Sequence, residues 1–379
     1  MNYKKLKSIM KFNDHKKFNT FLFISTFARS LIEIFISLYL FKNGFSLQFV
    51  LAFYLLENVF SIFASYLFVQ IGERINYSIV MYIGVTAFIM LQFVLGNLVH
   101  NFSYIILISI LYAIYRRGYW VARRFYVTTI MPQRESSIPY SIIMVVSEIA
   151  SILSGFLGSF LLDSFNVVAL TILSSILLFI SALPLIKIDN KGQKTKIELI
   201  KNLKKYDKRN YLAFSLYEIN NLLAFIFPIF IFLYIEETYA MTGIVNAISS
   251  LAIIVFIILY GRLIRKKNYF ILSSVLFLFI CIAKLFLLNY FILALCFIEG
   301  LIKKMQSQSL NKIYFENRNG MDLAHYNLIY QIVEAVARAT VTIPLLFMND
   351  IRIMILFVLL IIGIELVFYA SFKKTKKLN

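Results

Sequence analysis

Arg116 and Arg117 stand side by side inside the apolar stretch Ile110-Leu-Tyr-Ala-Ile-Tyr-Arg-Arg-Gly-Tyr-Trp-Val-Ala-Arg-Arg-Phe125. The run begins at Phe102, so a helix through it carries the pair roughly 21 Å along, past the middle of a hydrocarbon slab about 30 Å thick. One cation near that depth costs about 2.5–3.5 kcal/mol on insertion scales, so a helix bearing two must turn them away from lipid. Arg29, Lys284, Lys303, Lys304 and Arg338 complete a set of seven cations within apolar runs. Seven carboxylates share those runs: Glu33, Glu57, Glu148, Glu218, Glu299, Glu334 and Glu365. Unpaired, the cations alone would cost on the order of 20 kcal/mol, more than a fold's whole net stability. The balance predicts pairing or contact with a wet interior. Buried carboxylates beside cations can take up and release protons, because burial and a neighbouring cation pull on the carboxyl group in opposite directions. Ion pairs that exchange partners can latch one gate while another opens. Tyr112, Tyr115, Tyr119 and Trp120 add an aromatic wall suited to a partly apolar solute.

The elements that must hold these groups follow from composition. The 379 residues are 60% hydrophobic and only 15% charged, with mean hydropathy +0.80, which no soluble core could hide. An all-α polytopic membrane protein is the class that fits. Apolar runs predict twelve spans, near Phe18–Phe41, Ser46–Gln70, Ser78–Val99, Phe102–Phe125, Pro139–Leu162 and Asn166–Ile186, then Tyr211–Ile235, Tyr239–Gly261, Tyr269–Leu288, Tyr290–Leu310, Tyr326–Met348 and Ile351–Phe372. With the N-terminus inside, 29 of the 38 Lys and Arg residues fall on inside segments, and the outside loops hold only Lys42 and Arg352. This positive-inside bias predicts the cytoplasmic membrane, with both termini cytoplasmic. It also explains the net charge of +19 as an orientation signal, so no nucleic-acid partner is expected. The basic N-terminus leads into a full-length span without a small-residue cleavage site, so no cleavable signal peptide is expected. Arg123 and Arg124, at the end of span 4, are expected to snorkel to the cytoplasmic headgroups.

Neither a cofactor nor a metal is expected. Cys281 and Cys296 both lie in apolar runs and read as packed thiols. His15, His100 and His325 sit near span ends or in tails, without ligand spacing, and this argues against an intramembrane enzyme. Gly192-Gln-Lys-Thr195 lacks the upstream Gly and the Gly-Lys pair of a phosphate-binding loop, which disfavours a primary pump.

Local spacing orders the polar groups further. Arg29 and Glu33 are i,i+4 and can pair directly. Glu218 and Asn221 share a face of span 7; Glu299, Lys303 and Gln306 share one of span 10. Asn327, Gln331, Glu334 and Arg338 form a stripe on span 11. Lys284 and Glu365 read as structural. Gly155 and Gly158 predict close helix packing. The Lys-rich stretch 187–210, weakly amphipathic over Ile197–Leu203, reads as a linker against an anionic membrane surface. Shifted by 192 residues, Asn76-Tyr77 falls on Asn268-Tyr269; after small slips, Arg116-Arg117 falls on Lys303-Lys304, Tyr140 on Tyr326 and Glu148 on Glu334. Polar groups at matching depths predict a duplicated six-helix unit, with halves 1–186 and 211–379.

Twelve spans in two sixes around a long connector resemble the major facilitator superfamily over essentially the whole chain. At that family's Gly…Asp-Arg-x-Gly-x-Arg turn after span 2, this chain has Ser65, Val69, Gln70, Gly72 and Arg74, so only the last Gly and Arg match. Arg116, Arg117 and Gly118 loosely echo its span 4 motif. Gly155-Phe-Leu-Gly158 keeps the glycines of its exporter motif without the proline, a slight lean towards efflux. The resemblance implies that spans 1, 4, 7 and 10 line a central cavity and that the protein is not an enzyme. The expectation is a monomeric secondary transporter in the lipid bilayer. It moves a small anionic or zwitterionic organic solute by alternating access, with H+ as the coupling ion. The expected solute-binding residues are Arg29, Tyr112, Arg116, Tyr119, Trp120, Asn221, Glu299 and Lys303, with Arg116 and Lys303 anchoring from opposite halves. The expected coupling and gating residues are Glu33, Glu57, Glu148, Glu218, Glu334, Arg338, Arg117 and Lys304, with Glu33 and Glu148 as proton carriers. A lipid or amphiphile translocator and a non-transporting membrane scaffold are the alternatives.

Overall fold

A bilayer offers the backbone no water, so a chain this apolar must satisfy its own N–H and C=O groups, and helices do so within one segment. The computed structural model describes residues 3–130, 138–165, 167–183, 208–260, 268–286, 288–316 and 323–372. The amphipathic stretch predicted at Ile197–Leu203 and most of the 187–210 linker lie outside the described residues.

Twelve helices match the twelve expected spans. They are α1 (Tyr3–Glu33, resuming as Ile36–Lys42), α2 (Leu47–Arg74), α3 (Tyr77–Leu95), α4 (Phe102–Ile130), α5 (Ile138–Ser164) and α6 (Val167–Ala182). The second six are α7 (Lys208–Tyr234), α8 (Tyr239–Tyr260), α9 (Phe270–Phe286), α10 (Leu288–Glu316), α11 (Leu323–Leu345) and α12 (Ile351–Ser371). Several helices run beyond the apolar limits read from sequence, because a helix need not stop where the hydrocarbon does. The break in α1 is a single tight turn in which the Phe35 N–H donates to the Ile32 carbonyl at 2.9 Å.

Asparagine and serine start the helices where the turns are short. Ser46 Oγ accepts from the Phe49 N–H at 3.1 Å and Asn101 Oδ1 from the Tyr104 N–H at 2.7 Å, satisfying donors that the first turn leaves orphaned. Asn76 accepts from the Ser78 N–H at 2.8 Å, and Asn268 accepts from the Phe270 N–H at 2.9 Å. The two asparagines that the 192-residue shift superposes therefore cap α3 and α9 in the same way.

Helix neighbours repeat with the same period. In the first six, α1 packs on α5 and α6, and α4 on α2 and α3; in the second, α7 packs on α11 and α12, and α10 on α8 and α9. The sixes meet most closely along two pairs, α2 with α11 and α5 with α8, which exchange under the repeat, with lesser contact of α4 with α11 and of Ile36–Lys42 with α7. Where backbones touch, only glycine fits. A Cβ on Gly118 of α4 would lie 2.8 Å from the Cα of Gly84 in α3, and one on Gly243 of α8 would lie 2.5 Å from the Gly155 carbonyl oxygen of α5. Close approach of this kind replaces the hydrophobic drive that lipid removes between helices.

Outside the bundle, Phe63, Phe93, Phe160, Phe179, Phe279 and Val367 are exposed, an apolar girdle far larger than a soluble monomer carries. Among the described residues, nine helices are long and apolar enough to cross a membrane, and α6 and α9 are shorter apolar helices. The chain is an integral, multi-pass membrane protein.

Candidate functional site

α4 is the axis of the polar interior. Gly118 and Ala122 press one face of it against neighbours, and the opposite faces carry the arginines and tyrosines into the bundle. Arg116 and Arg117 are 5% and 1% exposed, so both are withdrawn from lipid as their insertion cost demands. Two groups of side chains surround this helix.

The first lies between α1 and α4 and is partly open. Arg29 Nη1 donates to Glu33 Oε2 at 2.6 Å, the i,i+4 pair that spacing predicts. Tyr112 and Tyr115 each donate a hydroxyl to Glu33, both at 3.2 Å. The Arg29 guanidinium lies 5.2 Å from the ring centre of Tyr119 and 5.4 Å from that of Trp120. Its side chain is 13% exposed and that of Glu33 16%, whereas Tyr112, Tyr115 and Tyr119 are buried. A cation, a carboxylate and aromatic faces thus converge, and the two ionic groups stay within reach of a ligand. That is the donor set needed to hold a small solute with a charged end and an apolar or ring-bearing body.

The second group is a buried ionic chain that crosses between the two sixes. Arg116 donates to Glu57 of α2 at 3.0 Å and to Glu334 of α11 at 2.8 Å. Glu57 also accepts from Ser61 at 2.8 Å. Glu334 meets three further cations, Arg117 at 3.2 Å, Arg338 at 3.4 Å and Arg124 at 3.7 Å. Arg117 donates to the Gln331 side-chain oxygen. Arg338 in turn donates to Glu218 of α7, which accepts from Tyr330 at 2.8 Å and from Asn221 at 3.3 Å. The stripe read on α11 therefore does gather on one face: Gln331, Glu334 and Arg338 all meet α4 or α7. Arg124 departs from the snorkelling expectation. Its guanidinium sits 3.7 Å from the Tyr330 ring centre, beside Glu334, because a carboxylate and an aromatic face within reach hold it better than the headgroups. Arg123 lies over Trp120 at 4.6 Å.

The remaining predicted residues fall elsewhere. Glu299 of α10 is shared between Lys303 at 2.8 Å and the buried Lys284 of α9. Lys303 keeps 29% of its side chain exposed. Arg116 and Lys303 are thus each held by carboxylates in this conformation. Glu148 of α5 interacts with Ser250 of α8 and Lys304 of α10. Glu365 accepts from Ser215 at 2.8 Å. Sequence reasoning did not single out Tyr330, whose hydroxyl closes the Glu218 shell, nor Tyr54, which stacks on Phe225 of α7 at 4.1 Å. Neither carries a local spacing that marks it.

At the helix ends predicted to face outside, the sixes are in contact. Gln48 of α2 donates to Asn349 Oδ1 at 2.8 Å. Asp163, at the end of α5, accepts from the Ala240 N–H of α8 at 3.0 Å, and Lys42 stands 3.9 Å from the same carboxylate.

Three comparisons with known proteins bear on this arrangement. The sequence profile of the Major Facilitator Superfamily matches residues 20–338. Among solved structures, the E. coli fucose:proton symporter FucP is similar with TM-score 0.65 and 11% identity, over 95% of this chain and 98% of that one. The nucleoside transporter NupG is similar with TM-score 0.69 and 13% identity, over 95% of this chain and 100% of that one. Among curated proteins no sequence match is found.

Proposed function

The chain belongs to the major facilitator superfamily, and on that premise we propose that it is a proton-coupled secondary transporter for a small zwitterionic or anionic organic solute, working by alternating access. The observation that carries this reading is the partly open Arg29–Glu33 pair under the Tyr112, Tyr115, Tyr119 and Trp120 rings. The solute's carboxylate takes Arg29 and its ammonium group takes Glu33. A proton arriving at Glu33 competes with that ammonium group, which is the linkage an exchanger needs. Such exchange moves solute outwards against inward proton flow, and the Gly155-Phe-Leu-Gly158 remnant of the exporter motif leans the same way. Glu148, beside Lys304, is the second proton carrier. That FucP carries a sugar with a proton and NupG a nucleoside supports a small polar organic cargo and proton coupling.

In this reading the halves 1–186 and 211–379 rock against each other, both termini face the cytoplasm, and one copy in the cytoplasmic membrane suffices. We read the described conformation as closed to the outside, and the Gln48–Asn349 contact supports that. Arg116, Arg117, Glu57, Glu334, Arg338 and Glu218 form the gate, while Asn221, Glu299, Lys303 and Lys304 line the solute's path in the second half. The protein performs no chemistry on its cargo.

The test is reconstitution of the full chain in liposomes containing a pH-sensitive dye, challenged with amino acids, amino sugars, organic acids and nucleosides. At least one of these classes should move protons, and Glu33→Gln should abolish the proton signal while solute exchange persists with weaker binding of the ammonium group. Silence across the whole panel, together with no solute exchange under an imposed pH gradient or voltage, overturns the reading.

A further inference from the structure

Three carboxylates, Glu57, Glu218 and Glu334, meet four arginines in the buried chain, and the hydrogen-bond shells of the two sides do not match. The carboxylates are used on every side: Glu334 by Arg116, Arg117, Arg124 and Arg338, Glu218 by Arg338, Tyr330 and Asn221, and Glu57 by Arg116 and Ser61. What is left over consists only of donors. Arg117 Nε and Nη2, Arg338 Nε and Gln331 Nε2 are buried without a hydrogen-bond partner, Arg338 Nη1 standing 3.4 Å from Glu334, and no oxygen of the three carboxylates shares that condition. Their residues are 1%, 4% and 0% exposed. Gln331 has its oxygen committed to Arg117, so its amide nitrogen can only donate. Even with Arg124 set aside, two guanidinium groups and one amide flank Glu334 with unused N–H groups.

Native interiors satisfy nearly all such donors, and the exceptions mark strain, an ion or a ligand. Leftover donors of one polarity, two of the three groups that bear them being cationic, are the complement of an anion. We propose that Arg117, Arg338 and Gln331 form a binding site for one small monovalent anion between α4 and α11. The site is separate from the Arg29–Glu33 group. Because Arg117 belongs to the first six helices and Arg338 and Gln331 to the second, a bound anion ties the two together and favours the described conformation. The same chemistry can arrive as a free inorganic ion or as the carboxylate of an organic acid.

The experiment is thermal unfolding of the purified full chain at constant ionic strength, with gluconate, too bulky for a buried site, replaced stepwise by chloride, nitrate, formate or acetate. A saturable rise in melting temperature is expected. Saturation by chloride and nitrate alone assigns a free inorganic ion; saturation by formate and acetate as well assigns a carboxylate. Arg117→Gln should weaken the apparent affinity by about tenfold or more, the usual effect of losing a charged hydrogen bond. Arg29→Gln should leave it unchanged. Gln331→Glu supplies the missing negative charge in place, so it should fold at least as stably as the parent and lose its anion dependence. A wild-type melting temperature that does not respond to any of the four anions, or a Gln331→Glu variant that keeps the full response, overturns the site. Neither outcome touches the transport reading, which is carried by the Arg29–Glu33 pair and tested by a flux assay.

Discussion

Replacing Glu334 by Gln keeps the shape of the side chain and removes the one charge on which four arginines converge. The contacts lie at 2.8, 3.2, 3.4 and 3.7 Å, and the carboxylate side chain is 7% exposed. At an effective dielectric of about 20, each contact is worth roughly 4–6 kcal/mol before desolvation and the mutual repulsion of the arginines are subtracted. Measured losses on breaking one buried pair run about 3–5 kcal/mol, most of it the penalty of the partner left behind. Glu334→Gln leaves Arg117 without a carboxylate and with only the Gln331 side-chain oxygen, since Arg116 keeps Glu57 and Arg338 keeps Glu218. The expected loss is therefore about 5 kcal/mol, comparable with the whole net stability of many folds. Glu57→Gln removes only one of the two carboxylates of Arg116 and should cost about 1–3 kcal/mol. The assay is equilibrium unfolding of both variants in mixed micelles, with Arg117→Gln added to Glu334→Gln as a partial rescue. If Glu334→Gln proves no more damaging than Glu57→Gln, or Arg117→Gln deepens the loss, Glu334 is not the hub of the cluster.

Three further outcomes follow from the packing. Glu299→Gln leaves the buried Lys284 without its carboxylate and should cost about 3–5 kcal/mol, while Lys284→Met should cost under about 1 kcal/mol because Glu299 keeps Lys303 at 2.8 Å; equal losses in unfolding would break that account. Gly118→Ala should destabilise by about 1–3 kcal/mol, since its new Cβ lies 2.8 Å from backbone, whereas Gly363→Ala, with nothing within 4 Å, should be silent in the same melt. Cysteines replacing Gln48 and Asn349 should cross-link and stop flux in liposomes, and a pair replacing Ser151 and Asn246, whose side chains are 3.2 Å apart across α5 and α8, should cross-link and still permit slow transport; identical arrest by both would contradict a pivot at α5–α8.

Local spacing carried much of this into the sequence. Arg29–Glu33 and Glu299–Lys303 are i,i+4 pairs, and both are ion pairs in the structure, at 2.6 and 2.8 Å. Asn76 and Asn268 are matched by the 192-residue shift, and the structure makes both of them caps at equivalent turns. Arg116 and Arg117 had to point inwards because lipid leaves no alternative. The identity of their partners was not legible. Arg116 meets Glu334 across 218 residues of chain, and the periodicity of a helix names a face without saying which neighbour it confronts. Seven candidate carboxylates at similar depth left that choice to tertiary packing. Arg124 illustrates the limit from the other side. Its position at the end of an apolar run suits snorkelling, yet Tyr330 and Glu334 stand on another helix, more than half the length of the chain away, and no local pattern announces them.

The two seams between the sixes are built from opposite chemistry, and alternating access gives that contrast a purpose. At α5–α8 the backbones touch through Gly155 and Gly243, beside the Ser151–Asn246 side-chain hydrogen bond, and no shared charge chain like that of α2–α11 is seen there among the described residues. At α2–α11 and α4 the contact is a string of shared charges, which apolar residues of similar volume could replace without loss of stability and often with a gain. Such a replacement would hold a single arrangement. Arginines that each reach two carboxylates, as Arg116 and Arg338 do, can pass from one to the other while no charge is ever left bare. On the transport mechanism proposed above, the glycine seam would serve as the hinge of the rocking motion and the ionic seam as the part that separates and re-forms.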